Sequence, residues 1–149
     1  MSDHSLSRLP SSLTLAQAEA ILDRALALAA EHALLPLTVA VIDAGGQLVA
    51  LKREDGSSTL RVAIAIGKAN AAVGMGMSSR LIRDRIAGRP HFINALAAAA
   101  EGRFIPVPGG VLVLDDQGQA IGAVGISGDA SDRDEFCAIE AIRAIGLGS

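Results

Sequence analysis

The chain has 149 residues, a formal charge of −3 and a single cysteine, the size of one domain that can bury a core without disulfide or metal staples. Sixteen acidic against 13 basic residues and a pI of about 5.5 exclude the basic stripe of a nucleic-acid surface. No uncharged run approaches the roughly 18 residues of a membrane span.

Residues 1–12 are polar, rich in Ser with one Pro, and read as a flexible tail containing His4. Residues 13–149 read as a single domain. Thr14 opens a helix, with Gln17 at capping-box spacing. Leu15, Ala18, Leu22, Ala25, Leu26 and Ala29 form its apolar stripe, and Gln17, Arg24 and Glu31 lie opposite. The helix is expected to end near His32, ahead of Pro36. Leu37–Ile42 reads as a strand, Asp43-Ala44-Gly45-Gly46 as a turn and Gln47–Arg53 as the return strand.

Ser58 or Thr59 is expected to cap a helix over 59–76, with Val62, Ile66, Ala69 and Val73 on one face and Arg61 and Lys68 two turns apart. Ser78 caps a short helix over 79–87, ended by Gly88. Pro90–Ala100 reads as another. Pro106-Val107-Pro108-Gly109-Gly110 cannot be regular helix. Val111–Leu114 and Gln119–Ser127 flank the turn Asp115-Asp116-Gln117-Gly118. Ser131 is expected to cap a last helix over 132–146, buried through Phe136, Ile139, Ile142 and Ile145. The two turn regions echo each other: Asp43, Gly46 and Gln47 match Asp115, Gly118 and Gln119 at a constant offset. Two hairpins, each followed by a helix, imply an α/β (α+β) domain with a central antiparallel sheet, and exclude a Rossmann crossover sheet.

The opening residues lack a basic region followed by an apolar one, so no secretory leader is expected and the cytoplasm is the default compartment. Half the residues are hydrophobic, yet only Phe92, Phe104 and Phe136 are aromatic. With a mean hydropathy of +0.41, some apolar surface is expected in homo-oligomer contacts. Cys137 lies among Asp134, Glu135 and Glu140, which suits a buried hydrophobe rather than a reactive thiol.

The sequence has no H-E-x-x-H, Walker loop or G-x-S-x-G. Its richest region pairs Pro108-Gly109-Gly110 with Ser127-Gly128-Asp129, which flank the second hairpin and should meet at one end of it. Glycines there either satisfy turn geometry or free backbone N–H groups for an anionic ligand. Lys68, on an Ala/Ile/Val helix, reads either as a snorkelling charge or as a cation aimed at a bound acid. Arg61 shares the argument. Arg103, beside Phe104, is either an exposed connector or a bidentate partner for a ligand carboxylate. His91, after Pro90, is either a cap or a metal ligand. Asp134 is expected to share caps with Ser131, or to act as an acid or base.

Thr14-Leu15-x-x-Ala18, Val39-to-Asp43 with Gly45-Gly46, and Ala63-x-x-x-Gly67-Lys68-Ala69 form the first half of a longer pattern. Pro106-x-Pro108-Gly109-Gly110 and Gly122-Ala123-Val124-Gly125-Ile126-Ser127-Gly128 with Asp134-Glu135 complete it. In this order the chain resembles the GlcG/HbpS-like haem-binding family, which includes the C-terminal domain of PduO-type proteins. The resemblance runs from about Leu13 to Leu147. It implies a profilin-like fold, dimers assembling to tetramers or octamers, and binding of haem or, less readily, a corrinoid or small organic acid. On matching positions it implicates Lys68, Gly109, Gly110, Ser127, Gly128 and Asp134. The chain departs from the pattern at Asn70-Ala71 and in the Arg-rich stretch Arg80 to Arg89, and His91 is its candidate haem-iron ligand. The alternatives are an enzyme on a small acid, with Lys68 and Arg103 holding the carboxylate, and a ligand-free oligomer subunit.

Overall fold

The computed structural model describes residues 5–149; His4 lies outside them. In chain order the elements are α1 (Leu15–Glu31), β1 (Thr38–Asp43), β2 (Leu48–Arg53), α2 (Arg61–Met75) and α3 (Ser79–Ile86). They continue as α4 (Pro90–Ala99), β3 (Gly110–Leu114), β4 (Ala120–Ser127) and α5 (Ser131–Ala144). The four strands form one antiparallel sheet in the order β2-β1-β4-β3, so the two hairpins lie side by side with their returning and outgoing strands in contact. This is the α/β arrangement the sequence predicts.

The sequence echo is a structural one. In each hairpin the turn aspartate folds its carboxylate back onto the loop. Asp43 Oδ1 accepts from the N–H groups of Gly45 (2.9 Å) and Gln47 (3.0 Å), and Asp115 Oδ1 from those of Gln117 (2.9 Å) and Gln119 (2.9 Å). Gly46 (φ 81°) and Gly118 (φ 76°) take the left-handed conformation that these turns demand. Both strand pairs slip register by one residue next to the turn, at Val41/Ile42 and at Val113/Leu114.

The pleat sorts side chains by size. One face carries Val39, Val41, Val111, Val113, Val124 and Ile126, packed against Ile21, Leu22, Ala25 and Leu28 of α1 and Cys137, Ala138, Ala141 and Ile142 of α5. The other face presents Ala40, Ala123 and Gly125, across from Ala65, Ala69 and Ala72 of α2. Ile42 and Leu112 flank this small-residue patch, and at the patch α2 lies directly on the sheet: a Cβ on Gly125 would collide with the carbonyl oxygen of Ala65. A smaller core of Ala71, Ile82, Ile86 and Phe104 joins α2 to α3 and α4. Cys137 is buried, and desolvation pushes its thiol up to about 11, so it packs as a hydrophobe.

The helix termini refine the sequence expectations. The capping box forms: Thr14 Oγ1 accepts from Gln17 N–H and Gln17 Oε1 from Thr14 N–H. Ser78 caps α3 through the Leu81 N–H. Neither Ser58 nor Thr59 caps α2, because a turn closed by Arg61 N–H on the Ser58 carbonyl precedes it and places Leu60 at the cap. Ser131 is the first residue of α5 rather than its cap, which is Ala130. The buried side of α5 is rotated from the expected one. Asp134, Cys137, Ala138, Ala141 and Ile142 face inward, the last four packing in the main core, while Phe136 is 39% exposed. On α1, Ile21 and Leu28 replace Leu15 and Leu26 in the buried stripe.

Candidate functional site

Lys68 lies midway along α2, on the side facing the sheet, and is 2% exposed. Its side chain runs past the start of β3 and the end of β4 toward the first turn of α5. There the ammonium donates to the Ile126 carbonyl (2.8 Å) and to Asp134 Oδ2 (3.3 Å). The other carboxylate oxygen of Asp134 accepts the Asp129 N–H (3.0 Å). Both charged groups are almost fully withdrawn from water. Burial pushes the Lys68 ammonium down and the Asp134 carboxyl up, and in each case desolvation outweighs the opposite charge of the partner.

The glycines around this pair open the passage that Lys68 occupies. A Cβ on Gly109 would sit 2.7 Å from the Ile126 carbonyl oxygen and 2.9 Å from Lys68 Nζ, and Gly109 has φ 128°. A Cβ on Gly110 would strike the Lys68 carbonyl, and one on Gly128 the Pro36 carbonyl. Ile126 N–H donates to the Gly109 carbonyl (3.0 Å), so the Pro-Gly-Gly segment and the end of β4 adjoin as the hairpin geometry requires. Ser79 Oγ, at the start of α3, accepts the Gly110 N–H (2.8 Å) and donates to the Val107 carbonyl (2.6 Å).

The cluster reaches the surface at Arg61. Its Nη1 donates to Ser127 Oγ (3.0 Å). Thr38, paired with Ser127 across the strands, shares a hydrogen bond with Ser57 (2.9 Å). On the far side Arg80 of α3 holds Glu135 (2.9 Å) and Asp132 (2.6 Å), fastening α3 to the first turn of α5.

The structure therefore brings Lys68, Gly109, Gly110, Ser127, Gly128, Asp134 and Arg61 together, with their own chain filling the space among them. Arg103 and His91 stand apart, both exposed. Arg103 borders an open groove of about 500 Å³ along the outer side of α2, lined also by Thr59, Val62, Ala63, Ile66, Glu101 and Gly102. Farther along the same helix, an apolar crevice of about 240 Å³ is bounded by Asn70, Gly74, Met75, Leu96 and Phe104. Asn70 Nδ2 donates to the Arg103 carbonyl (2.7 Å) and fixes the connector between the two hollows. His91 is the second residue of α4, whose other end lines that crevice. Among the described residues no three His, Cys, Asp or Glu side chains group as a metal site, and no helix is long and apolar enough to cross a membrane.

Sequence reasoning missed Ser79 and Thr38. Each acts on a partner distant in the chain, so no local spacing betrays it.

Solved structures share this fold. A PduOC–haem complex superposes with a TM-score of 0.81 at 26% identity, covering 91% of this chain and 96% of that one. The ORFY protein of Klebsiella pneumoniae gives 0.79 at 26%, covering 96% and 99%. HbpS gives 0.76 at 24%, covering 95% and 94%, and so bears on the fold alone. No curated protein sequence matches. The sequence match that accompanies this shared architecture runs unbroken over residues 13–143, from the buried Leu13 to the last turn of α5, and by it the chain belongs to the family described as haem degrading protein HbpS-like.

Proposed function

We propose that the protein binds haem, or a closely related tetrapyrrole, along the outer side of α2. The observation that carries this reading is the groove itself. It has an apolar floor of Val62, Ala63 and Ile66, and Arg103 stands at its edge without an ion pair among the described residues. A flat apolar macrocycle carrying carboxylates needs both features. The haem bound by the PduOC neighbour supports the same reading.

The residues then divide their work. Arg103 receives a propionate; His91, the iron ligand expected from the sequence, lines neither hollow and sits at the opposite end of α4 from the crevice. Lys68, Asp134, Gly109, Gly110, Ser127 and Gly128 set the position of α2 from behind, and Arg61 adds its bond to Ser127 at the start of that helix. Exposed Leu60 (70%), next to the groove residue Thr59, favours a second copy covering part of this face, in a cytoplasmic homo-oligomer.

Titration with haemin is expected to give a stoichiometric Soret shift. Arg103→Met should weaken affinity about tenfold, the loss of one charge-assisted contact. His91→Ala tests the expected ligand directly: a changed Soret position assigns it, and an unchanged one removes it. Cobalamin in the same assay separates a haem site from a corrinoid site. Absence of any saturable Soret change would end the proposal.

A further inference from the structure

The opposite side of the sheet carries a second hollow. A cleft of about 380 Å³ lies between the end of α1 and the start of α5, lined by His32, Leu34, Asp132, Arg133 and Phe136. His32 is the C-cap residue of α1. Its ring meets Phe136 edge to face, with centroids 5.1 Å apart and planes at 82°. Phe136 is one of three aromatic side chains in the chain. Phe104 is buried and Phe92 lies under the Arg89 guanidinium, whereas Phe136 stays 39% exposed in the cleft wall.

The charges around the rim are unequally satisfied. The Asp132 carboxylate is held by Arg80 at 2.6 Å. Asp129, just behind, accepts the Leu35 N–H (2.8 Å) on one oxygen and the Ala130 N–H (2.7 Å) on the other. Arg133 reaches Asp129 only at 4.0 Å, beyond hydrogen-bond distance, and its side chain is 61% exposed. Arg133 thus pairs with Asp129 only electrostatically, and its guanidinium N–H groups have no hydrogen-bonded acceptor among the described residues.

We propose that this cleft is a ligand site, distinct from the α2 groove, for a small planar aromatic carboxylate. The ring would stack within the His32–Phe136–Leu34 wall and the carboxylate would take the free guanidinium edge of Arg133. A cationic ligand would meet the Arg133 guanidinium at the rim, and a purely aliphatic acid forgoes the aromatic wall.

Benzoate is the probe, added to the full-length protein and followed by amide chemical-shift mapping. Localised shifts at residues 32–35 and 130–137 are expected, with a dissociation constant on the order of 1 mM. Arg133→Met and Phe136→Ala, both at exposed positions, should each weaken binding about tenfold with unchanged circular dichroism. Benzylamine should not shift these amides. Haemin affinity should be unaltered in Arg133→Met, so the test stands apart from the haem reading. Scattered or absent benzoate shifts, equal binding by Arg133→Met, or equal shifts with benzylamine would each overturn the assignment.

Discussion

Lys68→Met is expected to cost about 3–5 kcal/mol of stability, lowering the melting temperature by about 6–20 °C for a chain of this size. The substitution nearly preserves shape, so the loss is electrostatic. Asp134 would keep its bond from the Asp129 N–H but lose its one cationic partner among the described residues while remaining 1% exposed. A buried carboxylate without a counter-charge either stays ionised at high cost or takes up a proton, and both outcomes weaken the folded state. The double variant Lys68→Met/Asp134→Asn removes the orphan charge and should recover at least about 1 kcal/mol of the loss, as expected for directly coupled neighbours. Thermal denaturation of the four-member cycle measures this. If Lys68→Met melts within 1–2 °C of the parent, the pair does not carry the stability assigned to it.

Gly125→Ala is expected to be at least as damaging, for a steric reason. The added methyl would collide with the Ala65 carbonyl and lie 2.9 Å from the Ala69 nitrogen. Both are backbone atoms of α2, so no rotamer change relieves the clash. The helix must lift from the sheet, uncovering Ala69, Ala72, Ala123 and Ile42. Overpacking of this kind costs about 3 kcal/mol or more, and lifting α2 also reshapes the groove on its outer side. Gly74→Ala is the internal comparison: the position lies on α2 with no heavy atom within 4 Å of an added Cβ. It should stabilise by about 0.5–1 kcal/mol. Melting curves of the two variants should diverge in opposite directions from the parent. Equal melting temperatures would show that α2 does not rest on the sheet as described.

Local chemistry made much of this fold legible in one dimension. The Asp-x-x-Gly-Gln turns specify their hairpins because the aspartate and the glycine act within five residues. Thr14 with Gln17, and Ser78 with Leu81, cap their helices over a single turn. At the start of α5 the local cue misled. Ser131 has the side chain of a cap, yet the Arg133 and Asp134 N–H groups bond the Ala130 carbonyl, which puts Ser131 inside the helix.

The residues of the candidate site were visible as an unusual set, but not their relation to one another. Charge and glycine content in the sequence mark Lys68, Asp134, Gly109, Gly110, Ser127 and Gly128 as worth explaining, and they do converge. Only packing decides that Lys68 is spent on Asp134 while Arg103 remains free, because a lysine on an apolar helix can snorkel to water or turn inward equally well by spacing. The hollows on α2 and between α1 and α5 likewise have walls assembled from segments far apart in the chain. A periodicity of two or 3.6 residues determines which side of each element is apolar; which of those sides meet, and which are left open for a ligand, follows from the order in which the two hairpins pair.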